Sequence, residues 1–131
     1  MATVPLLSDA AAGAEALAVF DDIRAKRQTD YVNNFWRALA GDPALLRATW
    51  ERLQVVMAPG ALDPLVKEMV YLAVSTANGC SYCVHSHTAA AKARGMTEAQ
   101  HGELLAVIAM ASQTNALATV LGVPVDERFM A

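Results

Sequence analysis

"GDPALLRATWERLQVVMAPGALDP", residues 41–64, carries the same two-residue signal twice, at Asp42-Pro43 and at Asp63-Pro64. In each, an aspartate able to cap backbone N–H groups precedes a proline, which lacks the N–H that a helix's first position leaves unpaired anyway. The first pair opens a helix to about Met57, closed by the Pro59-Gly60 turn. The second opens a helix that stops at Asn78-Gly79. Upstream, Ala14 to Lys26 reads as an alanine-rich helix with Asp21-Asp22 inside it and Arg24, Lys26 and Arg27 near its end. Tyr31 to Leu39 reads as a short second helix stopped by Gly41. Downstream, Cys80 to Arg94 is helical and ends on Gly95, and Thr97 with Gln100 forms a capping box for a long last helix. No stretch alternates as a strand does, and no segment repeats. The chain, residues 1–131, therefore reads as one all-α domain, a single-domain helical bundle of about six helices with no dividing linker. A thioredoxin fold is excluded, because its central strands have no counterpart.

The chain is 55% hydrophobic and 18% charged, with a formal net charge of −3. A helical domain this apolar has surface left to bury, so self-association is expected. No basic stripe exists, which argues against nucleic acid as a partner. The first residues place no basic region ahead of an apolar run and do not read as a signal peptide. Leu104 to Val125 is uncharged and long enough to span a bilayer. However, Ser112-Gln113-Thr114-Asn115 lies at its centre, and Gly122 and Pro124 break its end, so a helix buried in protein or between subunits fits better than a membrane. Two cysteines without an export signal point to the cytoplasm, where a close pair is more often catalytic or metal-binding than structural.

Both cysteines and two of the three histidines fall in "ANGCSYCVHSHTAAAKARG", residues 77–95. At about 100° per residue, Cys80, Cys83, His87 and Arg94 share one stripe of a helix, and His85 falls on the opposite face. Cysteines three apart on a helix have Cα atoms about 5 Å apart, within disulfide range. Cys80 follows Gly79 at the helix start, where unpaired N–H groups and the dipole favour a thiolate. His87 lies one turn beyond Cys83, close enough to exchange a proton with it. Glu68 is the one acid in an otherwise apolar run. If the helices on either side of Gly79 fold back antiparallel, Glu68 comes within a turn of His87 and can orient it. Tyr71 and Ser75 share Glu68's face and could line the same pocket; the other reading of Glu68 is a surface carboxylate favoured by the dipole near a helix N-terminus.

Three readings of this cluster fit the spacing. The pair is a redox site, or two buried small hydrophobes, as unbonded cysteine often is, or part of a zinc centre with His87 and a fourth ligand from Glu68, His85 or His101. Structural zinc usually takes its cysteine pair from a turn rather than from one helix stripe. The helix start and His87 together favour redox chemistry, with no metal and no cofactor expected. His85 and His101 read as exposed or interface residues, and Phe35, Trp36 and Trp50 as core or subunit contact. Gln113-Thr114-Asn115 reads either as pocket lining or as a pairing between subunits.

Glu68, Cys80-Ser-Tyr-Cys83 and His87 stand at the spacing Glu, eleven residues, Cys-x-x-Cys, three residues, His. In this pattern, in "NNFWRALAGDPALL" upstream and in "LGVPVDE" near the end, the chain resembles the alkylhydroperoxidase D-like group of the carboxymuconolactone decarboxylase superfamily. The similarity covers most of its length. The resemblance implies an all-helical fold that assembles as a homo-oligomer, trimer or hexamer. It also implies cysteine-based peroxidase or disulfide-reductase activity, with a peroxide as substrate and a thiol, lipoyl-type donor or peroxiredoxin as partner. By the same resemblance Cys83 attacks peroxide, Cys80 condenses with the resulting sulfenic acid, and Glu68 and His87 carry the proton. One position departs from the best-understood members: Tyr82 stands where they have a histidine, so thiolate charge is tuned differently here. Decarboxylase members lack the cysteine pair, which disfavours ring-opened lactone chemistry. The expected activity is thiol-dependent reduction of an alkyl hydroperoxide. A non-enzymatic module whose cysteines only sense oxidation is the rival reading, and turnover with a thiol reductant separates the two.

Overall fold

The structure, a computed structural model, describes residues 1–130. They form six α-helices and a short 3-10 turn, with no strand among the described residues: α1 (Ala14–Arg27), α2 (Asn34–Leu39), α3 (Pro43–Met57), α4 (Pro64–Ala77), α5 (Ser81–Ala93) and α6 (Glu98–Leu121). The expected all-helical fold holds, and both Asp-Pro signals act as read. Asp42 accepts the Leu45 N–H at 3.0 Å and Asp63 the Leu65 N–H at 2.8 Å, each with proline at the first helical position. Boundaries shift by one residue at α1, which includes Arg27, and at α5, which Cys80 and Arg94 flank as caps; the larger shift is at the second helix. The second helix starts at Asn34 rather than Tyr31, because Asn33 is extended and Val32 is fully buried as an anchor of the preceding loop.

The tertiary contacts group into two compact units, one of Met1–Ala58 and one beginning at Pro59. In the first, α1 buries Ala16, Val19, Phe20 and Ile23, the i, i+3, i+4, i+7 spacing that puts four side chains on one face. Leu46 and Trp50 of α3 and Trp36 of α2 close on that face, with Val32 beside them. Trp50 meets the edge of Trp36 at 5.3 Å between ring centroids. Its indole N–H donates to Asp22 at 2.6 Å, a bond that, with Lys26, holds the Asp22 carboxyl below the ordinary carboxylate range. The two tryptophans are thus core, whereas Phe35 stays partly exposed at the outer edge of Trp36.

In the second unit, α4 and α5 form a helical hairpin and α6 packs against α4. The hairpin turn is set by backbone chemistry. Asn78 ends α4, Gly79 takes the left-handed conformation at φ 68°, and the chain then returns two N–H groups to α4. Gly79 donates to the Thr76 carbonyl at 3.1 Å and Cys80 to that of Ser75 at 2.9 Å. This is the Schellman arrangement, in which a residue without Cβ takes the strained position. The last helix opens with the expected capping box: the Thr97 hydroxyl accepts the Gln100 N–H, and the Gln100 side chain accepts the Thr97 N–H. No residue of α6 is buried within the chain. By length and composition alone it is long and apolar enough to cross a membrane. Two of its central hydroxyls, Ser112 and Thr114, are returned to carbonyls of the preceding turn.

Trp50→Ala is expected to destabilise the chain by about 3–5 kcal/mol, the usual cost of emptying an aromatic core position. Asp22→Ala, which keeps the ring but orphans its N–H, should cost about 1–3 kcal/mol. Urea unfolding followed by far-ultraviolet circular dichroism at one protein concentration measures both, and equal effects would show that packing is not the larger contribution.

Candidate active site

Glu68, Tyr71, Leu72 and Ser75 follow one another at helical spacing along α4, and three of the four, Glu68, Leu72 and Ser75, are buried. Leu72 needs nothing more, but a buried carboxylate does, since its lost hydration must be replaced by partners. Glu68 has a partner on each oxygen, one from α5 and one from its C-cap residue. Oε2 lies 2.7 Å from Nδ1 of His87, and Oε1 accepts from Nε of Arg94 at 3.2 Å. Burial alone would raise the Glu68 pKa. The bond to His87 and its charge, followed by those of Arg94, outweigh burial and leave the carboxyl below its ordinary value. An ionised carboxylate only accepts, so Nδ1 of His87 carries the hydrogen and Nε2 is the basic nitrogen of the neutral ring. The ring is further held by Tyr71, stacked on it with centroids 3.6 Å apart and planes 21° from parallel.

The cysteines stand at the other end of α5. Cys80 closes the Schellman turn of α4 and is also the N-cap of α5, where its Sγ accepts the Cys83 N–H at 3.3 Å. Its place is therefore one step earlier than a first-turn residue, at the point where helix N–H groups converge. Cys80 and Cys83 are joined as a disulfide, with Cα atoms 5.3 Å apart as helical spacing requires. His87 follows Cys83 by one turn of the same helix. Of the residues singled out in the sequence, Glu68 and His87 are thus in direct contact, Cys80 and Cys83 are bonded to each other, and Tyr71 packs on His87. Ser75 reaches the site through its carbonyl, which fixes Cys80. His85 is exposed, as its position off the stripe requires. Arg94 is the contact that the sequence reading left out. It shares the stripe of Cys83 and His87, but a cation in the last turn of a helix is ordinarily explained by the dipole alone.

The lowered Glu68 pKa gives a signed pH effect. A carboxyl held below its unfolded value of about 4.3 contributes stability that is complete above that pH and is lost as pH falls through the folded value. The urea midpoint of the wild-type chain should therefore drop more between pH 7 and pH 3 than that of Glu68→Gln. Equal drops would show that the ion-paired carboxylate is not a source of the acid sensitivity.

Comparison with known proteins bears on the family and the fold. The carboxymuconolactone decarboxylase family matches residues 43–126. A stretch of 75 residues is 40% identical to the alkyl hydroperoxide reductase AhpD of Solibacter usitatus, covering 57% of this chain and 40% of that protein. Another, of 70 residues, is 41% identical to the AhpD of Mycobacteroides abscessus, covering 53% of this chain and 39% of that one. These matches therefore span about two fifths of the length of the curated relatives. The crystal structure of an alkylhydroperoxidase AhpD core from Rhodospirillum rubrum superimposes with a TM-score of 0.96 at 64% identity, covering 100% of this chain and 98% of that one. A helical chain with a buried acid, a Cys-x-x-Cys pair and a histidine in this order is thus placed by sequence and by fold alike: it belongs to the carboxymuconolactone decarboxylase family.

Proposed function

We propose that the chain is a thiol-dependent peroxidase that reduces alkyl hydroperoxides with Cys80 and Cys83 as its redox pair and Glu68 and His87 as a proton relay. The observation that carries this reading is one helix, α5, beginning in a disulfide and holding, one turn on, a histidine bonded to a buried carboxylate. The names of the AhpD relatives and of the solved AhpD core support the chemistry.

In the reduced chain, Nε2 of His87 takes the Cys83 proton while Glu68 stabilises the imidazolium. The Cys83 thiolate attacks the terminal peroxide oxygen, the O–O bond breaks, and the alkoxide leaves with the proton from His87 as an alcohol. Cys83 is then a sulfenic acid. The Cys80 thiol condenses with it, forming the disulfide and releasing water. A dithiol donor, of the free thiol or lipoyl class, then attacks the Cys80–Cys83 disulfide, and through a mixed disulfide returns both thiols while becoming a disulfide itself; an oxidised partner peroxiredoxin would instead take its electrons from the reduced pair.

Two effects compete to name the attacking cysteine. The N-cap position of Cys80 favours its thiolate, an effect of at most about 2 kcal/mol. A positioned general base typically contributes 10²–10⁴-fold, roughly 3–5 kcal/mol of barrier, and it lies beside Cys83. The base is the larger, so Cys83 attacks and Cys80 resolves. Tyr82, half-exposed between them, adds no second imidazole to this balance. In a reducing compartment such as the cytoplasm the pair is kept ready for oxidation.

The same reading includes a homo-oligomer, a trimer or hexamer, with α6 at the subunit interface. Leu105, Val107, Met110, Leu117, Val120 and Leu121 are all exposed in the single chain. A second copy covers such a helix at less cost than a bilayer, because Gln113 and Asn115 at its middle find polar partners in protein and none in lipid.

Two outcomes test this. Cys80→Ser should give one dimedone-trapped sulfenic acid per chain after peroxide and no turnover, while Cys83→Ser should give none; trapping at Cys80 in Cys83→Ser, with none in Cys80→Ser, would reverse the assignment. Light scattering should return a multiple of the 13.9 kDa chain mass, and a stable monomer would contradict the interface.

A further inference from the structure

Arg94 is the one partner of Glu68 that the redox cycle above does not use. Its backbone is fixed by a second Schellman turn. Gly95, at φ 95°, donates to the Lys92 carbonyl at 3.0 Å, Met96 donates to that of Ala91 at 2.9 Å, and Met96 and Ala91 are both buried. The guanidinium leaves this turn with its head half in solvent and its Nε–H on Oε1 of Glu68, at 3.2 Å. Glu68 itself is 4% exposed, so that oxygen has little water to turn to. The remaining groups facing the carboxylate are His87 on α5 and, behind its ring, Tyr71 on α4. The ionisable residues of α6 are Glu98, His101 and Glu103; Glu98 pairs with Lys92, and none of the three bonds to Glu68 among the described residues.

We propose that Arg94 is a positioning residue of the proton relay: by holding Oε1 of Glu68 it fixes the carboxylate so that Oε2 meets His87, and through that contact it governs the release of the Cys83 proton. The proposal rests on the redox reading above. Without Arg94, a buried anion keeps one partner instead of two, and burial then favours its protonated or displaced form. A Glu68 in either form no longer orients His87, so Cys83 loses its proton acceptor much as it does in Glu68→Gln.

The test follows alkylation of Cys83 by iodoacetamide against pH, in full-length reduced protein carrying Cys80→Ser so that one thiol reports. Arg94→Gln and Arg94→Met should each move the profile upward, lowering the rate at pH 7 about threefold to tenfold, within the lower part of the range for coupled neighbours. Arg94→Lys should recover most of the loss. In a Glu68→Gln background, changing Arg94 should bring no further loss. A wild-type profile in Arg94→Gln and Arg94→Met overturns the proposal, and so does a loss that adds in full to that of Glu68→Gln, since Arg94 would then act on the thiol directly. An unchanged profile in Glu68→Gln itself is a different result, and it overturns the relay rather than the part assigned to Arg94.

Discussion

Everything about the candidate site depends on a carboxylate that has been taken out of water. A lone buried Glu68 would be costly, so the fold has to supply partners, and it does so from the middle of α5 and from its C-cap residue. Both contacts tie α4 to α5 across the hairpin. The first also gives the histidine a defined tautomer, because an ionised acid accepts and never donates. The disulfide and the Glu68–His87 pair are then joined by one helix rather than by loops, the kind of rigid link that the proposed proton transfer would need.

Much of this was legible in the sequence because the signals were local. Both Asp-Pro openings, the Thr97-Gln100 capping box and the glycine stops at Gly79 and Gly95 act within four residues, and each does in the structure what it does in isolation. The Glu68–His87 contact was legible for another reason: two helices joined by a three-residue turn fold back antiparallel in only a few characteristic ways. What escaped was non-local or dual in meaning. Val32 is an apolar residue that anchors a loop in extended form, so the second helix was read three residues too long. Arg94 carried two valid explanations, and the dipole one needed no contact to be complete.

The two compact units owe their stability to different means. The first buries a dense aromatic and aliphatic cluster in which Trp50 satisfies its one polar atom on Asp22. The second buries fewer large side chains, Leu72 and Met96 chief among them, together with the polar Glu68 and Ser75. Its hairpin relies on backbone turns and on the shared carboxylate, and its longest helix leaves its apolar surface uncovered by the chain. A unit built in this way has little hydrophobic reserve of its own, so the proposed covering of α6 by a second copy would add to its stability.

Cys80 ends one helix and starts the next, with no residue between the two duties. The hairpin therefore has no slack, and the eleven positions between Glu68 and Cys80 act as a ruler. Each residue added to or removed from α4 inside that interval would turn the acid by about 100° around the helix axis and shift it about 1.5 Å along it. One such step points the carboxylate away from α5 altogether. The interval in the motif is thus a phase relation between two helices, and drift in the loops on either side of the hairpin leaves it untouched, whereas a single insertion within α4 destroys it.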